Sequence, residues 1–187
     1  MMAEKKATPP TAPSLVGEKI YLRAATADDI ANTHHWFLLS EPQTQTCRPV
    51  VVYSAAEASE NFKKDERTPF RQQFMVIRTA DNVPVGRVSY FDLNPLNRSA
   101  ELGLLVDPEE RRKGFGREAI RILSRYLFRY RGLNKVYAQT SQPNIAACKL
   151  LEAAGFRRDG TLRHHYFINN EFHDGYLYSL LLFEFDG

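Results

Sequence analysis

Arg111-Arg112-Lys113-Gly114-Phe115-Gly116 stands between an apolar run, Ser99 to Val106, and a long amphipathic segment that opens at Gly114. Two glycines and three cations fall where a strand gives way to a helix. Glycine lets a backbone come close to a ligand, and the first turn of a helix presents unpaired N–H groups with a partial positive charge. Such a turn suits a phosphate or pyrophosphate. The same six residues also suit a loop with a solvated basic cluster, so the surrounding elements have to decide.

Upstream, Lys19 to Arg23 alternates as a first strand. Thr26 followed by Asp28 and Asp29 marks a helix start, and the helix continues from Ile30 to Leu39 with Trp36 and Phe37 as packing or pocket residues. Glu41 to Tyr53 holds two prolines and reads as loop. Ser54 caps a helix over Ala55 to Lys64, with Glu57 completing a capping box. Gln73 to Arg78 and Val83 to Leu93 read as antiparallel strands turning at Asp81-Asn82. Ser99 to Val106 is the next strand, and Gly103 within it suggests a bulge or a close approach by another backbone.

Downstream, Phe115, Ala119, Ile122, Leu123, Tyr126 and Tyr130 recur at helical spacing until Gly132 ends the run. Lys135 to Thr140 predicts a strand, Asn144 to Ala154 a helix stopped by Gly155, and Thr161 to Ile168 and Tyr176 to Phe185 two strands. Asn169-Asn170 suits the hairpin between them, because asparagine tolerates positive φ. The order of elements predicts one α+β domain, a mixed α/β sheet with helices. Gly114 to Ala119 also matches G-x-G-x-x-A, but a dinucleotide fold wants those glycines straight after the first strand and an acid at the end of the next. Asp107 to Lys113 intervenes here, and Lys135 to Thr140 carries no acid.

A 43% hydrophobic, 25% charged composition fits an ordinary globular chain, and a formal charge of +3 is too mild to demand nucleic acid. Arg117, Arg121, Arg125 and Arg129 line one side of the long helix; only Arg117 stays near its start, and the others read as a solvated face. Cys47 and Cys148 are the only cysteines, which favours a reducing, cytoplasmic compartment over a disulfide framework. No apolar stretch reaches membrane-spanning length. The histidines at 34, 35, 164, 165 and 173 lack metal-site spacing, so no metal is expected. Met1 to Ser14 has no apolar core of a secretory signal and reads as a disordered leader, with the folded domain at 15–187.

Taken together, four stretches resemble the GCN5-related N-acetyltransferase (GNAT) superfamily. They are Ala100-Glu101-Leu102-Gly103-Leu104-Leu105-Val106, Arg111-x-x-Gly114-x-Gly116, Thr140-Ser141-x-Pro143-Asn144 and Leu151-Glu152-x-x-Gly155-Phe156. More narrowly the chain is similar to the branch of ribosomal-protein N-terminal acetyltransferases and spermidine acetyltransferases. The resemblance implies a twisted mixed sheet with two splayed strands, and acetyl-CoA lying between the strand that ends at Val106 and the one that starts at Lys135. It implies that backbone groups of Leu104, Leu105 and Val106 pair with the pantetheine arm. Arg111, Arg112, Lys113, Gly114, Phe115, Gly116 and Arg117 would hold the pyrophosphate, and Asn144 would bind the pantetheine while capping its own helix.

It further implies acetyl transfer by direct attack of a primary amine on the thioester. Glu101 is the candidate base, with one of His164 and His165 as a second choice. Many members carry a tyrosine seven residues after the asparagine as general acid; Leu151 stands there, and Ser141 is the candidate substitute ahead of Cys148. Trp36, Phe37 and Tyr166 are candidate acceptor-pocket residues, while Asp28, Asp29 and Glu41 are few acids for gripping a polyamine. A protein N-terminal amine, an amino sugar and a polyamine all remain acceptors, and the chain is expected as a monomer or homodimer. A non-catalytic acyl-CoA-binding module is the alternative that the missing tyrosine raises.

Overall fold

The structure is a computed structural model and describes residues 12–40, 51–65 and 69–187. Residues 1–11 of the expected leader, and most of the loop expected after Leu39, including Glu41 and Cys47, lie outside these. Strands β1 (Ile20–Ala24), β2 (Gln72–Arg78), β3 (Pro84–Asn94), β4 (Ser99–Val106), β5 (Lys135–Ser141), β6 (Arg157–Ile168) and β7 (Glu171–Leu181) form one sheet in the order β1-β2-β3-β4-β5-β7-β6. All neighbours are antiparallel except β4 and β5, which run parallel. The sheet is mixed, as expected.

Helices α1 (Ala27–Asn32), α2 (His34–Leu38) and α3 (Ala55–Asp65) cover one face, and α4 (Phe115–Tyr130) and α5 (Ile145–Ala153) the other. The larger core lies under α4 and α5, where Ala119, Leu123 and Leu127 are fully buried against Leu22, Val88, Ala100 and Val136. A smaller cluster under α1–α3 gathers Tyr21, Ile30, Trp36, Phe62, Met75 and Ile77. β1, β2 and β4 therefore send alternate side chains into two different apolar layers.

The helix expected to continue through Leu39 is broken at Thr33. The Thr33 hydroxyl donates to the Asp29 carbonyl at 2.6 Å, and its backbone (φ −108°, ψ 12°) leaves the helical region. Ser54 and Glu57 form the expected reciprocal cap, at 2.8 and 3.2 Å. Gly103 sits in unbroken register with Ser89, and what approaches it is the Ser89 hydroxyl and the Phe91 ring rather than another backbone. Asn169 and Asn170 both have positive φ, 51° and 64°, as a tight hairpin with the sheet's twist requires. β7 stops at Leu181, short of the expected Phe185, because Leu182–Glu184 closes into a 3₁₀ turn.

The arginine stripe on α4 is only partly solvated: Arg117 and Arg129 are exposed, Arg121 and Arg125 half-buried, and the last three have partners. Arg121 pairs with Asp186 at 2.6 Å, Arg125 donates to the carbonyls of Ser14 and Val16, and Arg129 donates to the carbonyl of Gly187. Chain segments from both ends of the described fold run along the helix and offer it acceptors.

Candidate active site

Parallel pairing between β4 and β5 holds for three positions only, Ser99 with Lys135, Ala100 with Val136 and Glu101 with Tyr137. Beyond Glu101 the strands part. β4 stays paired to β3 as far as Val106 with Gly86, and β5 stays paired to β7 as far as Ser141 with Gly175. Between Leu102 and Val106 the β5-facing edge of β4 thus has no strand partner, and its backbone can receive an extended ligand by strand addition. This is the expected splay.

Glu101 marks the apex of that fork. It lies on the face of β4 shared with Gly103 and Leu105, and Leu105 packs on the cluster under α1–α3. Tyr137 stands directly across from it. Partial burial, then the carboxylates of Glu101 and Asp92, push the Tyr137 phenol above its ordinary pKa. Tyr137 escaped the sequence reading, although its place in an alternating strand paired with the Glu101 segment is a signal.

At the far end of β4, α4 begins. Gly114 caps it with φ 90°, a left-handed value that costs an L-residue about 1–2 kcal/mol. The N–H groups of Phe115, Gly116 and Arg117 have no intrahelical partner. The two glycines act for different reasons. A Cβ on Gly116 would come within 2.8 Å of Leu150, 3.0 Å of Leu104 and 3.3 Å of Val106, so Gly116 lets the helix start press against β4 and α5. Phe115 turns its ring into the core at 7% exposure, leaving only its backbone to face a ligand.

The cations of the loop divide in the same way. Arg111 donates to Ser40 Oγ at 2.7 Å and to the Val106 carbonyl at 3.4 Å, tying the end of β4 to the end of α2. Lys113 is paired with Glu110 at 2.8 Å, and Glu110 also accepts from Arg78. Arg112 (φ 63°) and Arg117 remain exposed at the helix start. Lys19 joins them: its ammonium lies 4.0 Å from where a Cβ on Gly114 would be, and its backbone N–H donates to Glu118 of α4. Nothing local in the sequence marks Lys19, because the contact spans most of the domain.

On the β5 side, Ser141 is fully buried at the strand's end. Asn144 caps α5, its Oδ1 accepting from the Ala147 N–H at 3.1 Å. Leu151 is a core residue, as is Cys148. The rings of His165 and Tyr166 lie over Gly175, the partner of Ser141, and a Cβ there would stand 2.9 Å from Tyr166. Strict alternation would send adjacent residues to opposite faces, but pairing lapses between Leu162 and Tyr166 and His164 has φ 49°, so both rings share one side while His164 stacks on Phe172. Of the two roles expected for Trp36, packing is the one displayed, at 4% exposure; Phe37 is half-buried.

A fork in the sheet with a cation-rimmed helix start at its mouth can receive an extended anionic ligand, and Glu101 stands at its apex. The acetyltransferase (GNAT) domain model matches residues 19–157. The chain belongs to the GNAT acetyltransferase family. Spermidine N(1)-acetyltransferase of Vibrio cholerae is 31% identical over 118 residues, 63% of this chain and 68% of that protein. A Bacillus subtilis protein provisionally named a ribosomal N-acetyltransferase, YdaF, is 33% identical over 102 residues, 54% of this chain and 56% of that protein. The crystal structure of spermidine N-acetyltransferase from Vibrio cholerae in complex with CoA and spermine matches this GNAT fold with a TM-score of 0.82 at 26% identity, covering 90% of this chain and 99% of that one.

Proposed function

We propose that this GNAT protein transfers the acetyl group of acetyl-CoA to a primary amine held together with it in the fork. The observation that carries the reading is the strand edge of β4 left open beyond Glu101, flanked by the free N–H groups of α4. A CoA complex is known for the Vibrio cholerae relative, and the residues here fit the same ligand. The edge from Leu104 to Val106 suits the pantetheine amides. The first turn of α4, with Arg112, Arg117 and Lys19 around it, suits the pyrophosphate. Acetyl-CoA supplies the activated acyl group; this chain's residues orient it and manage protons.

An alkyl ammonium has a pKa near 10 and must lose a proton before it attacks. Glu101, at the apex and on the face toward α1–α3, is the group we assign to accept it, directly or through water. A β4 N–H near Leu105 polarises the thioester carbonyl as an oxyanion-hole donor does. Ser141, at the end of the opposing strand, is assigned to return a proton to the departing thiolate, since Leu151 has none to give. Direct attack within a ternary complex predicts initial-rate lines that intersect when acetyl-CoA and amine are varied together. Parallel lines, with acetylated enzyme trapped when no amine is present, would replace this mechanism by a covalent one.

A further inference from the structure

One residue of β3 is explained by neither core. Arg87 lies between Met75 of β2 and Leu105 of β4 in the ladder. Cross-strand partners present their side chains on one face, and Met75 and Leu105 both belong to the apolar layer under α1–α3. Arg87 is therefore directed into that layer and mostly withdrawn from water. Other arginines of the fold have acceptors: Arg23 has Asp29, Arg78 has Asp81 and Glu110, and Arg121 has Asp186. Among the described residues Arg87 has neither a hydrogen bond nor an ion pair. Burial alone pulls its guanidinium down to about 10, so at neutral pH it is still charged. A buried charge without a partner is costly, and strongly desolvated ionisable groups cluster at functional sites.

Leu105, directly across from Arg87, is on the open β4 edge assigned to the thioester, and the shared face is the one on which Glu101 stands. We propose that Arg87 recognises an anionic group on the acceptor, so that the amine acetylated here carries a carboxylate or phosphate close to its nitrogen. The inference rests on the acyltransferase reading and narrows it. A planar guanidinium takes either anion bidentately. It also works against a polycation, whose second ammonium would face a guanidinium in an apolar layer. The acceptor then differs in charge from the spermidine for which the Vibrio cholerae relative is named.

The test is acetyl-CoA-dependent CoA release with matched amines: a tripeptide amide with alanine second and its aspartate counterpart, glucosamine and its phosphate ester, and spermidine. The wild-type chain is expected to favour the anionic member of at least one pair by roughly tenfold or more in kcat/KM, as a charge-assisted pair implies, with spermidine poorer than either. Which pair shows the preference separates carboxylate from phosphate. Arg87→Gln is expected to erase the preference through KM, leave the KM for acetyl-CoA unchanged and melt no lower than wild type, since a neutral amide replaces a charge that no described residue pairs. Arg87→Met serves as a second neutral variant. Neutral amines or spermidine turned over as well as the anionic ones, or a preference that survives in both variants, would overturn the assignment of Arg87 alone. CoA release with none of the amines would overturn the acyltransferase reading beneath it.

Discussion

Glu101 occupies the last position at which β4 and β5 still touch. A glutamine there keeps the size and the hydrogen bonding but not the basicity. Glu101→Gln is therefore expected to lose about 10²–10⁴ in kcat/KM at neutral pH, with the melting temperature and the KM for acetyl-CoA unchanged. Its rate should climb as the pH approaches the amine's own pKa, about 10, where solvent does the deprotonation. Full activity at neutral pH would remove Glu101 from the reaction. Asp29 makes a separate, structural prediction. Hydrogen bonds from Arg23 and then from Thr26 hold its carboxyl down to about 2. A depressed folded pKa means that its contribution is complete above the ordinary carboxylate value, about 4, and fades as the pH falls through about 2. Asp29→Asn is expected to cost about 1–2 kcal/mol at neutral pH, through the lost cap and charge-assisted bonds. Thermal melts against pH should show that difference from wild type shrinking on the acid side.

At the scale of elements, the start of α4 depends on two glycines that fail differently. Gly114→Ala forces an L-residue to φ 90° in open space and should cost about 1–2 kcal/mol without moving the helix. Gly116→Ala pushes the helix start off Leu104, Val106 and Leu150. It should raise the KM for acetyl-CoA more than Gly114→Ala does, a comparison steady-state kinetics can make directly. Signals carried by a few neighbouring residues were legible: the helix start at Thr26, the reciprocal cap at Ser54, the hairpin at Asn169-Asn170, and the helix stops at Gly132 and Gly155. Features decided by distant partners were not. β6 starts at Arg157 rather than Thr161 because β7 pairs with it from Ser179, and the α4 arginines find acceptors on segments remote in sequence.

Across the whole molecule, the sheet assigns its two faces to two tasks. The face under α4 and α5 is a closed apolar core, while the face under α1–α3 meets the open fork with Glu101, Tyr137 and Arg87 arranged on it. That the loop before α4 is built for close approach and positive charge was readable from its glycines and cations, but the division of labour among them was not. Arg111 and Lys113 turn out to be held by Ser40, the Val106 carbonyl and Glu110, and Lys19 takes a place at the helix start. Binding to a preformed fork should stabilise the fold by mass action, about 2.7 kcal/mol at a hundred times Kd, visible as a rise in melting temperature with acetyl-CoA. Acetyl transfer itself is tested most directly by acceptor-dependent release of free CoA from acetyl-CoA, with the acetylated amine identified by mass. The account predicts CoA release that needs an amine, yields its N-acetyl product in equal amount and collapses in Glu101→Gln. A chain that melts higher with acetyl-CoA yet releases no CoA with any amine would contradict it and leave an acyl-CoA-binding module in its place.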